Sequence, residues 1–274
     1  MQEYTGSLSK MKVSVNDDNQ VQYSLPMGDH LVDMNALIGS EITLTSAGEI
    51  HCVHCHKKTK KSFNQGYCYP CFTRLAQCDM CIMKPETCHY ALGTCREPEW
   101  GDTFCFQTHY VYLANASGIK VGITRQNQIP VRWIDQGAVQ ALPIFKVSSR
   151  HLSGLIEVEM AKHVSDKTSW QKMLKNQQPD VDLKARRDEL QAVCEPVIAD
   201  IQQRMADAQI EKLPEADLVD IHYPVIAYPE KVKSLNPEKN PKITGQLQGI
   251  KGQYLILDTG VINIRKYSGY EIKY

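Results

Sequence analysis

The sequence predicts an α+β protein on three observations. β-type alternation is confined to the two ends of the chain, nine of the ten cysteines crowd between Cys52 and Cys105, and helical spacing runs through residues 182–208. These divide the 274 residues into a small β-barrel-like unit built from terminal strands, a set of cysteine fingers, a mixed α/β segment and a long C-terminal helix.

Residues 1–50 carry the first strands: "KMKVSV" and "VQYSL" alternate around the turn chemistry of "NDDNQ", and "GSEITLTSAGEI" adds another strand. Residues 51–109 are the cysteine-rich segment. In residues 110–178, "YVYLANASGIKVGIT" reads as a hairpin, "PVRWIDQGAVQA" as a short helix, "ALPIFKVSS" as a strand and "HLSGLIEVEMAKHVSD" as a helix. Residues 179–215 form the long helix, with Leu183, Leu190, Val193, Val197, Ile198 and Ile201 on one face and Cys194 beside them as a buried thiol. Residues 216–274 begin with a proline- and lysine-rich connection and end in strands broken by glycine turns. Neither terminal set of strands is large enough for a core alone, so the two are expected to pair.

Hydrophobic residues at 42% and charged residues at 23% exclude a disordered chain. No apolar run approaches the roughly eighteen residues that span a bilayer, and the N-terminal stretch lacks an export layout, so a cytoplasmic protein is expected. Lys plus Arg and Asp plus Glu balance at 31 each, but residues 180–220 are rich in acid, which leaves the remainder basic.

In a reducing compartment, crowded cysteines point to metal rather than disulfides. Cys52, Cys55, Cys68 and Cys71 form two Cys-x-x-Cys pairs twelve residues apart, the zinc-ribbon-like arrangement in which two tight knuckles close one tetrahedral zinc. Cys78 and Cys81 repeat the device, and with Cys88 and Cys95 they are the expected second structural zinc site. Cys105, His89 and His109 are rival ligands there, and an iron–sulfur cluster is the other occupant considered. Between the first knuckles, Lys57, Lys58, Lys60 and Lys61 are either a solvated turn or a phosphate contact surface. Phe63, Tyr67, Tyr69 and Phe72 around them either stack on bases or form the finger's own core.

"YVYLANASGIKVGITR", "PVRWIDQGA" and "LIEVEMAKHVSDKTSW" resemble the GIY-YIG nuclease superfamily over about seventy residues. The resemblance implies that Tyr110 to Tyr112 are the first motif with Tyr112 as its tyrosine, Lys120 to Gly122 the second, and Arg132 the helical arginine. Glu159, spaced from His163 as Glu-x-x-x-His, would hold one divalent metal, magnesium, with Glu157 as its neighbouring candidate. The first motif lacks its glycine, and Lys120 stands where most members have tyrosine, so phosphate binding survives the departures better than catalysis. Without the resemblance, Tyr112 and Val121 read as core, Arg132 as a surface residue, and Glu159 with His163 as an i,i+4 pair. Nearly the whole chain, from "HCVHCHKKTKKSFNQGYCYPC" through "RWIDQGAVQALPIFKV", resembles the prokaryotic domain-of-unknown-function family 2797, which brings no assigned activity.

The function expected first is a zinc-containing nucleic-acid-binding protein with a modified GIY-YIG-like domain. Its contacts would be Lys57, Lys58, Lys60, Lys61 and Arg125, and its partner RNA or single-stranded DNA, since no segment reads as a basic major-groove helix. The alternatives are an active metal-dependent endonuclease using Tyr112, Lys120, Arg132 and Glu159, and a zinc-organised protein-interaction adaptor.

Overall fold

The computed structural model describes residues 4–164 and 169–274. The N-terminal strands β1 (Thr5–Ser7), β2 (Lys12–Val15), β3 (Val21–Met27), β4 (His30–Asp33) and β5 (Glu41–Ile50) come first. Three short helices, α1 (Tyr69–Arg74), α2 (Met80–Met83) and α3 (Pro98–Phe104), lie in the cysteine segment. Then follow β6 (His109–Asn115), β7 (Ile119–Arg125), α4 (Val131–Asp135), β8 (Gln140–Val147) and α5 (Arg150–Ala161). Next come α6 (Trp170–Leu174), α7 (Leu183–Val193), α8 (Glu195–Arg204), β9 (Ile210–Lys212) and β10 (Val219–Asp220). The chain ends in β11 (Lys242–Lys251), β12 (Tyr254–Leu257), β13 (Gly260–Asn263) and β14 (Tyr270–Lys273).

Strands from the two ends do pair. A six-stranded antiparallel sheet has the order β1-β14-β5-β11-β12-β13, with Thr5 opposite Lys273 and Ile42 opposite Gly245. The barrel expectation is corrected, however. Among the described residues no sheet closes on itself, and β2, β3 and β4 form a separate three-stranded sheet. The end strands of the larger sheet, β1 and β13, do not pair with each other, so it stays open. In β3 the alternation is complete: Val21, Tyr23, Leu25 and Met27 are buried while the residues between them are half-buried, as a period of two requires.

A further sheet, ordered β10-β8-β6-β7 with β9 on β8, is buried on both faces. Along β6, Tyr112 and Ala114 face one core, which they share with Trp133 of α4 and with Leu25, Ile42 and Leu255 of the terminal strands. Val111 and Leu113 face the other core, closed by Leu152, Ile156 and Met160 of α5 and by Leu190, Cys194 and Ile201. Fully burying a residue such as Ile156 contributes roughly 1.5–3 kcal/mol. The terminal strands and the central hairpin therefore share one hydrophobic interior.

The expected long helix is also corrected. It is two helices, α7 capped by Asp182, whose Oδ1 accepts from the Lys184 and Ala185 amides at 3.0 Å, and α8, separated from it at Cys194. Pro196 at the start of α8 has no N–H to continue the ladder and restricts the residue before it, so the axis restarts there. Cys194 is buried.

Candidate metal centre and basic cleft

β5 runs directly into the first knuckle. The Cys52 amide donates to the Lys57 carbonyl at 3.0 Å and the His56 amide to the Cys52 carbonyl at 2.9 Å, while His56 takes a positive φ of 58°. The second knuckle ends in α1, with Cys68 as its N-cap and Cys71 in its first turn. The sulfurs of Cys52, Cys55, Cys68 and Cys71 lie within 4.8 Å of one another, and those of Cys55 and Cys68 are 3.7 Å apart. Four soft donors at that separation fit one tetrahedral zinc ion. Burial opposes the Cys52 thiolate, but the amides of Cys55, Cys68 and His54 outweigh it and hold that thiol down at about 6. Burial and the other three sulfurs push the Cys71 thiol up in turn, so the cluster cannot hold four thiolates unless a cation neutralises them.

The lysine loop lies outside this centre. Lys57, Lys58, Lys60 and Lys61 are exposed; Lys58 pairs with Glu49 at 2.6 Å, and the Lys61 ammonium sits 5.3 Å from the centre of the Phe63 ring. Phe63 stacks on Phe72 and tilts against Tyr69, while Tyr67 and Phe72 pack on the cysteines, so most of these rings serve the finger itself. Tyr69 is exposed.

Downstream, the structure parts the cysteines differently from their spacing. Cys78 packs into the first finger with Cys52, Cys68, Cys71 and Leu75. Asp79, Cys81 and His89 form a second group with donor atoms within 4.8 Å, which can hold a metal ion and is compatible with zinc. Cys81, Cys88, Cys95 and Cys105 line one small pocket. His109 is buried beside the Gln107 carbonyl, 2.7 Å from its Nδ1, and burial pushes its pKa down to about 4. Arg125 stacks on the Phe104 ring at 4.0 Å, on the side of the second cysteine group.

On the central hairpin, Tyr112 is buried and its hydroxyl donates to Gln136 Oε1 at 2.8 Å. Its ring meets Trp133 edge-on, and Gly122 on the paired strand makes room for it: a Cβ there would lie 2.6 Å from the hydroxyl. Burial raises the phenol to about 12 despite the neighbouring Arg132 guanidinium. Arg150, Arg132 and Lys120 act on Glu157, not Glu159; burial still lifts the Glu157 carboxyl to about 7, because those three cations only partly offset the loss of water. Glu159 turns away to Lys162 at 2.5 Å and His163 at 3.8 Å, which hold its carboxyl below the usual range. The structure thus brings Tyr112, Lys120 and Arg132 around Glu157 and leaves Glu159 outside. Helix α5 is oriented by a close approach: at Gly154 a Cβ would lie 2.6 Å from Pro85 and 2.7 Å from the Glu86 amide.

Arg132 also lines a cleft of about 540 Å³ between the finger and the C-terminal strands, with Lys10, Asn64, Gln65, Tyr67 and Arg265. Lys10 pairs with the buried carboxylate of Asp135. Burial and the Arg132 charge both lower the Arg265 pKa while the Asp135 carboxylate pulls the other way, so two guanidiniums share one wall with a single buried carboxylate, itself paired with Lys10. Lys10 and Arg265 carry no sequence signal; each sits in a strand-rich stretch at one end of the chain, far from Arg132 in sequence.

Fold and site define a mixed α/β protein with several antiparallel sheets and a four-cysteine cluster fit for a metal ion. A family model described as "Protein of unknown function (DUF2797)" matches residues 39–272, and the chain belongs to that family. No curated protein and no solved structure matches it. Among the described residues no helix is long and apolar enough to cross a membrane.

Proposed function

We propose that this is a zinc-containing nucleic-acid-binding protein, acting on RNA or single strands through the cleft between the first finger and the C-terminal strands. The observation that carries the reading is the placement of Arg132 and Arg265 on one wall of that cleft, close enough for their charges to repel. Three cations, Lys10, Arg132 and Arg265, outnumber the Asp135 carboxylate there, and a phosphodiester supplies a further anion whose two non-bridging oxygens match the guanidinium fork. Asn64 and Gln65 add neutral donors on the finger side, and the exposed Lys57, Lys60 and Lys61 extend the positive surface beyond it. Zinc here is structural, since four thiolates leave no open position for substrate.

The test is fluorescence anisotropy with single-stranded RNA and DNA oligonucleotides across a salt series. Affinity should fall with salt at a slope of about −0.7 per phosphate contacted. Arg132→Ala and Arg265→Ala should each weaken binding by about tenfold, the loss of one charge-assisted contact. An absence of binding at low salt would leave the zinc-organised adaptor as the surviving reading.

A second reading, divalent-metal-dependent cleavage, is favoured by the grouping of Glu157 with Tyr112, Lys120 and Arg132. On that reading Glu157 takes the role expected of Glu159, and Glu157→Ala should abolish magnesium-dependent cleavage without weakening binding. Binding ranks first because Tyr112 is sealed in the core with its hydroxyl spent on Gln136, a poor position from which to activate water.

A further inference from the structure

Five cysteines follow the first zinc site in the finger segment, and only four of them share a pocket. Cys81, Cys88, Cys95 and Cys105 surround one enclosed space capped by Ile82 and Trp100, and three of the four also line a smaller pocket against Arg150. We propose that Cys81, Cys88, Cys95 and Cys105 hold an iron–sulfur cluster, a second metal centre independent of the nucleic-acid reading.

The ligands come from four separate turns: Cys81 from α2, Cys88 from the turn after Pro85–Thr87, Cys95 from the loop after Gly93, and Cys105 from the end of α3. Six, six and nine residues separate them, with no two-residue knuckle of the kind that clamps a single zinc. All four line the same space, so they are neighbours around it. Yet they stand wider than the first four. Among the described residues, donor atoms gather within 4.8 Å of one another at Cys52, Cys55, Cys68 and Cys71 and at Asp79, Cys81 and His89, and Cys88, Cys95 and Cys105 are in neither group. A cluster of several irons and sulfides spreads its thiolates further than one ion does and fills an apolar space between them.

Charge agrees. A cluster carrying four thiolates is an anion as a whole, and Arg150 lines the adjoining pocket with Cys81, Cys88 and Cys105 while Arg125 stacks on Phe104, the residue before Cys105. Arg150 is fixed there by donating to the Ile82 carbonyl at 2.6 Å. The competing donors are already engaged: Asp79 Oδ2 accepts from Arg96 Nε at 2.7 Å and lies 3.5 Å from His89 Nε2, while His89 Nδ1 is 2.8 Å from Thr94 Oγ1. That network closes the rim of the pocket and does not need a metal.

The experiment is iron, acid-labile sulfide and zinc analysis of the full chain purified without oxygen, with visible absorption before and after dithionite. Iron and sulfide should be found together with a single zinc per chain, and a broad visible band should bleach on reduction. Cys88→Ala and Cys105→Ala should lose iron, sulfide and the band to background while keeping the zinc, and Cys78→Ala should keep all of them. Two zincs without iron in the unsubstituted protein, after reconstitution with ferrous iron and sulfide as well as before it, would overturn the proposal. So would loss of iron in Cys78→Ala with retention in Cys105→Ala. Because the unsubstituted protein decides the first point, a variant that fails to fold does not shelter the idea.

Discussion

Glu157→Gln should make the protein more stable at pH 8 and leave it nearly unchanged at pH 4. In the folded chain the carboxyl is raised from its ordinary 4.5 to about 7, with burial as the main cause and Arg150, Arg132 and Lys120 pulling the other way. Unfolding returns it to water and to its ordinary value. Between those two pH values the native state holds a proton that the unfolded state has lost, so stability falls as pH rises through the window and is flat above it. At about 1.4 kcal/mol per pH unit, the full loss is about 3 kcal/mol. Glutamine keeps the shape and the buried neutral amide without the charge, so the acid-to-neutral decline should largely vanish in the variant. Urea unfolding with zinc present throughout, at pH 4, 6 and 8, measures this directly through the midpoint at constant slope. The same variant should bind an oligonucleotide more tightly at pH 8, since a carboxylate near Arg132 competes with phosphate for it. If Glu157→Gln is no more stable than the parent at pH 8, or is less so, the cations do more for the carboxylate than burial takes away, and the described electrostatics of the hairpin are wrong.

At Gly122 alanine should destabilise the fold by about 1–3 kcal/mol, because its methyl meets the Tyr112 ring, itself held by Trp133 and Gln136; thermal or urea melting reports it. Cys52→Ser or exhaustive chelation should release the zinc of the first finger and expose residues 51–71 to limited proteolysis, whereas the paired terminal strands stay protected in hydrogen exchange. Lys251 is buried, donates to Asn176 Oδ1 at 2.8 Å, and has its pKa lowered by burial to about 8. The unfolded chain holds that proton up to about 10.5, so stability should rise between pH 8 and 10.5, and Lys251→Met should abolish the rise.

What could be read from the sequence is what short-range rules enforce. Two-residue alternation in "VQYSL" became β3, the "YVYLANASGIKVGIT" hairpin became β6 and β7, and two knuckles brought Cys52, Cys55, Cys68 and Cys71 together. The pairing of the chain ends was legible because neither end had enough strands to bury its own apolar face. The break at Cys194 was legible too, in Pro196, but the apolar stripe running through it concealed the fault.

The chain's order of residues by itself determined the strands, the first four-cysteine cluster and the basic remainder hidden under a net charge of zero, because each depends on neighbours a few positions away. Tertiary structure alone decided which charges and thiols meet. Glu157 and Glu159 are two residues apart on α5, about 200° around a helix, so they face opposite ways, and the docking of Gly154 against Pro85 selects the one that reaches Arg132. By the same logic Cys78 and Cys81 look like one knuckle in sequence yet lie on different sides, Cys78 with the first finger and Cys81 with Cys105. Arg265 meets Arg132 across more than a hundred residues of sequence, an encounter set by the packing of distant elements and invisible to any local pattern.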